Sequence, residues 1–430
     1  MTLTIGETLE VTAHETDMFG QGVARVDDFV IFVKGLIKDE KALVTIKSVK
    51  KHFAEATIKK LLITTSDRRS VASKLGALDL YHMRDDAQVL WQTQITENHF
   101  KRKLGYDKPI TETIHSTNTL NYRNKVVYHV LETPLLTLGM YEADPIQLKE
   151  VHTFILNSHA IQRCVAKLQQ QTIEVDSSIL KHIVFRSNEK EQVLVTLVAK
   201  EKSFKGLDVI IEKMKTFKEV IGLTLNIKPS DQIILGHESY LLFGKNQISF
   251  DLGKLKLSLS DQSFMQVNTE VMLKTYERIR KEIDNDYVID CYSGIGSIGF
   301  YIGDKARKVL MIDNNLANVE AARENIKRHS GNFEVIHATA ESILPKLTGD
   351  VLIIDPPRAG LHKSLLSALK QKAFKKLIYL SCELSTLTRD IDALQETYDI
   401  NEVIPVRMFP QTTSIETLVI LENKKNQSQN

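Results

Sequence analysis

Cys382 stands directly after the apolar run KLIYLS and is one of three cysteines in the chain, with Cys164 and Cys291. Ligands and reacting groups of open α/β sheets gather at the carboxyl ends of the strands, and a thiol placed there can serve as a nucleophile. The plainer alternative is packing, because a free cysteine is often a small core residue. Three other chemistry-bearing segments fall at the same kind of place. Gly294-Ile-Gly296-Ser-Ile-Gly299 follows the strand-like YVID, and such a turn lets a ligand approach backbone and a helix N-terminus closely. Asp313 ends KVLMID, 19 residues beyond Gly294, where a carboxylate can take the hydroxyls of a ribose. The glycine turn alone fits many ligands; turn and acid together point to an adenosine-bearing cofactor. Asp355-Pro-Pro-Arg358 follows VLII, and its two prolines stiffen the loop and fix the direction of the aspartate.

These four sites need a sheet that brings strand ends together. From residue 252 onward, short apolar runs alternate with helical patterns, which predicts a parallel, doubly wound sheet. Two closing runs, NEVIPVRMFP and IETLVILEN, predict an antiparallel hairpin at its edge. Residues 1–62 read as a small β-barrel from short strand-like runs broken by turn residues. Its lysines 34, 38, 41, 47, 50, 51, 59 and 60 fit either a backbone-binding nucleic-acid surface or a solvated face. Residues 63–251 read as a mixed α+β domain, with a helical segment near 84–117 expected to pack on the catalytic domain. The C-terminal ENKKNQSQN reads as a polar, frayed end.

The bulk composition excludes several classes. The chain has 430 residues, 43% hydrophobic and 26% charged, with a net charge of +2, ordinary for two or three soluble domains. No apolar run is long enough for a transmembrane helix, and the N-terminus lacks a signal-peptide pattern. Few, scattered cysteines suit a reducing cytoplasm and offer no paired zinc spacing.

A thiol beside an adenosine cofactor would have a clear task if the substrate were a pyrimidine. Carbon 5 of uracil is a poor nucleophile toward a methyl sulfonium, and addition of a thiolate at carbon 6 makes it reactive. The carbon-5 proton must then leave, which requires a general base. Glu416, in PQTTSIETLVIL, is the candidate; otherwise it is a glutamate beside a strand. Amine methyltransferases place an aromatic residue after the two prolines, and Arg358 at that position argues against an exocyclic amine.

Together, FMQVN (264–268), DCYSGIGSIG, IDNN, DPPRAGL, LSCELSTLTRD and PQTTSIET resemble the uracil-C5 RNA methyltransferases of the TrmA/RumA type. The resemblance implies a Rossmann-like S-adenosylmethionine domain over 252–430, with Cys382 as nucleophile and Glu416 as base. It places Gln266, Tyr292, Gly294, Gly296, Ser297, Asp313, Thr339 and Asp355 around the cofactor, Ser297 and Thr339 at positions that vary among relatives. FGQGVAR (19–25) is similar to a TRAM domain, an RNA-binding module. YRNK (122–125) resembles the family's central segment, which makes Arg123 and Lys125 candidate contacts to the RNA backbone; Asp355, which the resemblance also turns toward the uracil, and Arg358 are further candidate RNA contacts. Two departures stand out. Relatives carrying a [4Fe-4S] cluster hold it on four cysteines; here Leu75, Leu78 and Thr153 occupy corresponding positions, so no cluster and no other metal is expected. Ser414 stands where relatives often carry histidine, two residues before the base.

The TRAM-like barrel favours 23S ribosomal RNA as substrate. The alternatives are tRNA at the T-loop uridine and a non-catalytic RNA-binding factor. A nicotinamide oxidoreductase would account for GIGSIG and Asp313 but not for DPPR, Cys382 or the hairpin. The expected protein is a cytoplasmic monomer that acts on an extruded base and has no membrane partner.

Overall fold

The computed structural model describes residues 3–27, 29–70, 73, 75–143, 146–372 and 374–427. The chain forms two compact units. The first comprises Met1–Thr113, Glu142–Gln147 and Phe409–Ile415; the second comprises Ile114–Tyr141, Leu148–Met408 and Glu416–Asn430.

Within the first unit, a six-stranded sheet comprises β1 (Thr8–Thr12), β2 (Glu15–Thr16), β3 (Gln21–Val26), β4 (Phe29–Lys34), β5 (Lys41–Val49) and β6 (Phe53–Ile63) among the described residues. Their order is β1-β5-β6-β4-β3-β2. Alternation in β5 turns Ala42, Val44 and Ile46 inward, onto a core shared with Val11, Ala24, Ile31, Val33, Ala54 and Ala56. The β5–β6 register slips between the pairs Leu43–Lys60 and Val44–Ile58. This bulge leaves Lys59 and Lys60, consecutive in sequence, both exposed. Helix α1 (Asp85–Leu104) follows, shorter than the helical segment the sequence suggests, and ends at Gly105, whose φ is 63°. It buries Trp91 and Phe100, and also Gln88 and Gln92. Gln88 Nε2 donates to Leu80 O, Met83 O and Gln411 Oε1, and Gln88 Oε1 accepts from Gln411 N at 3.0 Å. Leu78 is buried and Leu75 half-buried, while Val71, Ala72 and Lys74 of the same stretch lie outside the described residues.

Next in the chain is a seven-stranded sheet, most of it in the second unit. Its elements are β7 (Lys125–Val130), β8 (Leu138–Ala143), β9 (Ile146–Glu150), α2 (His159–Gln169), β10 (Leu180–Ser187), β11 (Val193–Ala199), α3 (Leu207–Lys215), β12 (Val220–Ile227) and β13 (Glu238–Gly244). The order is β13-β12-β11-β10-β7-β8-β9. VIGLTLNI forms β12. Gly222 interrupts its alternation, and a Cβ there would sit 1.8 Å from Lys245 O, so only glycine admits the neighbouring chain. A hairpin of β14 (Gln247–Leu252) and β15 (Leu255–Ser260) crosses residue 252.

The rest of the second unit alternates helix and strand: α4 (Thr269–Arg280), β16 (Tyr287–Cys291), α5 (Ser297–Ile302), β17 (Lys308–Asp313), α6 (Leu316–Ile326), β18 (Phe333–His337), α7 (Ala340–Ile343), β19 (Val351–Ile354), α8 (Lys363–Gln371), β20 (Lys376–Ser381), α9 (Leu384–Leu394), β21 (Tyr398–Val406), β22 (Glu416–Asn423) and α10 (Lys424–Gln427). The strand order is β18-β17-β16-β19-β20-β22-β21. The first five are parallel, and β22 runs antiparallel to both neighbours. This is the expected α/β class, a doubly wound parallel sheet with an antiparallel hairpin. All four residues of β19 are buried, as a strand covered on both faces requires. The chain order reverses between β16 and β19, the switch point where such sheets bind ligands. After β22, Lys424–Gln427 continue as a helical turn where the sequence suggests fraying; residues 428–430 lie outside the described residues.

Candidate active site

The site is built on the ends of four adjacent strands. The β20–β22 ladder ends with Ser381 opposite Thr417. Cys382 and Glu416 are the sequence neighbours of that last pair, close enough for the Glu416 carboxylate to raise the Cys382 thiol. Asp355 follows β19, which pairs with β20 through Ile354 and Tyr379. Asp290 lies in β16, opposite Ile353 of β19. The sheet order therefore collects Asp290, Asp355, Cys382 and Glu416 at one edge of the parallel core.

Burial sets the electrostatics here. Glu416 is 4% exposed and Asp290 fully buried. Loss of water pushes Glu416 up to about 8, with Asp355 adding to the shift. Burial alone pushes Asp355 up to about 7. Asp290 rises to about 8 through burial, reinforced by Asp355 and Asp313 and opposed by a hydrogen bond from Gly299 N. The half-buried Cys382 thiol is also raised, first by burial and then by Glu416 and Asp355, while Arg358 pulls it down. Cys382 also immediately precedes Glu383, the N-cap of α9, where the helix dipole favours a thiolate.

These shifts give a pH-dependent stability. An unfolded carboxyl titrates near 4, so a group whose folded value is raised contributes stability that is fully present at acid pH. That contribution is lost as pH rises through the folded value. Removal of the Glu416 charge should therefore leave stability unchanged at acid pH and stabilise the fold increasingly as pH rises from the unfolded value, with the full effect reached near the folded value of about 8. Calorimetry should find Glu416→Gln melting above the unsubstituted protein at pH 9 and level with it at pH 4; a constant offset would contradict the buried, raised carboxyl.

The glycine turn is tied down by two carboxylates. Gly294 N donates to Asp313 Oδ2 at 2.8 Å, and Gly299 N donates to Asp290 Oδ2 at 3.1 Å. Asp313 Oδ1 accepts from Asn315 N and Asn318 Nδ2. Asp313 thus orders its own loop. Gly296 has φ 85°, and a Cβ there would meet Met311 Sδ at 2.6 Å. Tyr292 takes φ 60°, a conformation costing about 1–3 kcal/mol for a side-chain-bearing residue. Its hydroxyl donates to Glu341 Oε1 at 3.0 Å.

The other expected residues divide. Gln266 is buried, and its carbonyl accepts from Asn124 Nδ2 at 3.0 Å. The Ser297 hydroxyl lies 2.8 Å from Tyr276 OH. Exposed Thr339 caps α7, accepting from Ser342 N at 3.3 Å. Arg123 stacks by its guanidinium on Tyr122 and Phe154, at 5.9 and 5.8 Å from the ring centroids. Lys125 lies on β7 opposite Arg186. Sequence reasoning missed Asp290 and Tyr276. Asp290 had a signal, an acid one residue from a strand end and four before Gly294. Tyr276 had none: only packing brings its buried hydroxyl, raised by burial, among Asp355, Asp290 and Glu416.

The turn fits an adenosylmethionine-type ligand. The buried Asp290 Oδ1 and Ser293 Oγ have no hydrogen-bond partner among the described residues. A Cβ on Gly294 would meet nothing within 4 Å, so the backbone there borders open space. A glycine backbone that borders such a space lets a zwitterionic ligand approach it closely.

Residues 343–424 match the tRNA (Uracil-5-)-methyltransferase family, residues 2–59 the TRAM domain, and residues 264–382 the methyltransferase small domain. An uncharacterized RNA methyltransferase of Halalkalibacterium halodurans is 31% identical over 97% of each chain. One from Enterococcus faecalis is 30% identical, covering 96% of this chain and 97% of its own. The fold is similar to Pyrococcus abyssi tRNA (uracil-54, C5)-methyltransferase in complex with S-adenosyl-L-homocysteine, with TM-score 0.77, 21% identity, and coverage of 96% of this chain and 100% of that one.

Proposed function

This chain belongs to the S-adenosylmethionine-dependent RNA (uracil-5-)methyltransferases that carry a TRAM domain, and we propose that it forms 5-methyluridine in 23S ribosomal RNA through a covalent adduct on Cys382. The single observation that supports this mechanism is the β20–β22 ladder, whose last pair, Ser381 and Thr417, adjoins Cys382 and Glu416 in sequence. S-adenosylmethionine, when bound, supplies a methyl group on a sulfonium. Gly294, Gly296, Asp313, Asp355, Gln266 and Tyr292 line its proposed place, with Ser297 and Thr339 at the margin.

The protein's own groups divide the work. Arg358, beside the thiol, and the start of α9 favour loss of the Cys382 proton. The thiolate bonds carbon 6 of the uracil, and the ring's electron pair becomes available at carbon 5. Once carbon 5 carries the methyl group, Glu416 removes the remaining proton there. The electron pair reforms the 5,6 double bond and expels Cys382. Asp355 faces the uracil edge, and Arg123, Lys125 and Arg358 hold RNA.

The matching TRAM domain and its exposed lysines support ribosomal RNA. A tRNA substrate is the second reading, suggested by the fold shared with the Pyrococcus tRNA enzyme. Purified protein, S-adenosylmethionine and unmodified 23S rRNA or tRNA transcripts distinguish them, with nucleoside mass spectrometry as the readout. We expect 5-methyluridine in 23S rRNA alone. Its appearance only in tRNA would keep the chemistry and overturn the substrate; its absence from both would sink the proposal.

We also propose that no iron–sulfur cluster is present. Leu75 and Leu78 offer no thiolate, Thr153 is exposed, and Cys164, Cys291 and Cys382 lie on α2, β16 and the loop after β20. Anaerobically purified protein should contain no stoichiometric iron or acid-labile sulfide.

A further inference from the structure

The seven-stranded sheet has a face that the reaction does not explain. Along β7, Val126, Tyr128 and Val130 are buried, whereas Lys125, Val127 and His129 are half-buried on the opposite face. Lys125 pairs across the ladder with Arg186 of β10, and His129 with His182. On the other side, β8 pairs with β7 through His129 and Gly139. Two residues on, Tyr141 presents its ring to the same face, 4.9 Å from the His129 ring and nearly perpendicular to it. A band of Tyr141, His129, Lys125, Arg186 and His182 thus crosses three strands.

The charges in this band are poorly compensated. Arg186 is 2% exposed; its Nη2 donates to Ser263 O, and its Nη1 has no hydrogen-bond partner among the described residues. Burial, then the Arg186 charge, hold Lys125 down to about 7, and burial holds Arg186 down to about 10. Asp261 attracts both cations, but its oxygens already accept from Ser239 Oγ and Gln262 N. Two desolvated cations sharing one carboxylate are costly, and a docked anion would offset that cost. Tyr141 is 50% exposed, although His129 fixes one edge of its ring. A single exposed aromatic needs no explanation; one on β8 beside the half-buried Lys125 and His129 of β7, with Arg186 buried behind them, has the composition of a single-strand RNA platform. The band also leads to the site. Asn124, next to Lys125, donates through its backbone to Val267 O and through its side chain to Gln266 O, both at 3.0 Å.

We propose that this face holds the single-stranded RNA flanking the target uridine, with a backbone phosphate on Lys125, Arg186 behind it, and an unpaired base stacked on Tyr141. The proposal rests on the RNA-substrate reading above and adds the surface and the two contact types.

Equilibrium binding of a fluorescein-labelled uridine-containing stem-loop RNA tests it without methyl transfer, so a failed substrate assignment and a failed surface remain distinguishable. Tyr141→Ala should raise Kd about 10-fold, as loss of one stacked base implies, and Tyr141→Phe should restore binding to within about 2-fold. Lys125→Gln should lower the slope of log K against log salt by about 1, as loss of one phosphate contact requires. On whichever RNA accepts a methyl group, Tyr141→Ala should raise KM and leave kcat at saturating RNA unchanged. Unchanged Kd and salt slope would overturn the proposal. So would a loss of binding that Phe fails to restore and that accompanies a lowered melting temperature, because that pattern marks a purely structural role.

Discussion

Cys382→Ala should abolish methyl transfer, by on the order of 10⁴-fold or more, because the alanine leaves carbon 5 of the uracil unactivated. The loss should be chemical. Cys382 is half-buried at the end of β20 and takes no part in the glycine turn, so S-adenosylmethionine affinity should stay near its original value. RNA containing 5-fluorouridine separates nucleophile from bystander. Fluorine at carbon 5 cannot leave as a proton, so the unsubstituted protein should remain bonded to the RNA and run as a retarded band under denaturing conditions. The alanine variant should give no such band, and one forming at the original rate would reject Cys382 as the nucleophile.

Glu416→Gln should fail at a different step. Glutamine keeps the shape of the side chain but cannot accept the carbon-5 proton. Addition and methyl transfer should proceed, and release should slow by roughly 10²–10⁴-fold, the usual contribution of a positioned base. Protein bonded to methylated RNA should therefore accumulate with ordinary uridine, with no fluorinated analogue required. Burial raises Glu416 to about 8, so release by the unsubstituted protein should accelerate as pH rises toward that value, while the variant shows no such acceleration. Turnover at the original rate by Glu416→Gln would remove this residue from the mechanism.

The parallel sheet was legible because each strand is a short apolar run ending in a distinctive loop. YVIDC, KVLMID, VLII and KLIYLS each lead into glycine, acid, proline or cysteine, and pairing such runs in parallel requires the helices between them. The neighbouring ends of β19 and β20 follow from that order. Register was not legible. The bulge that exposes Lys59 and Lys60 depends on how β5 meets β6, and β12 is disguised by Gly222, whose role is the approach of another backbone segment. The same limit applies around the site. The sequence marks Asp313 as a ligand-facing acid but not as the acceptor for Gly294 N, and Thr339 as a marginal contact but not as a helix cap. Asp290 and Tyr276 acquire interest only from the company they keep after folding.

The segment Phe409–Ile415 belongs to the first compact unit, and Glu416 comes immediately after it. Within that unit, Gln411 is held by Gln88, Asp85, Arg69 and the backbone of Leu80. Deleting the N-terminal region would therefore remove more than an RNA-binding module: it would strip the partners from the loop that leads into the proposed base. Inactivity of such a truncation would say little about RNA affinity. The barrel's contribution to substrate choice has to be measured by recharging its exposed lysines, with the loop's anchor left in place.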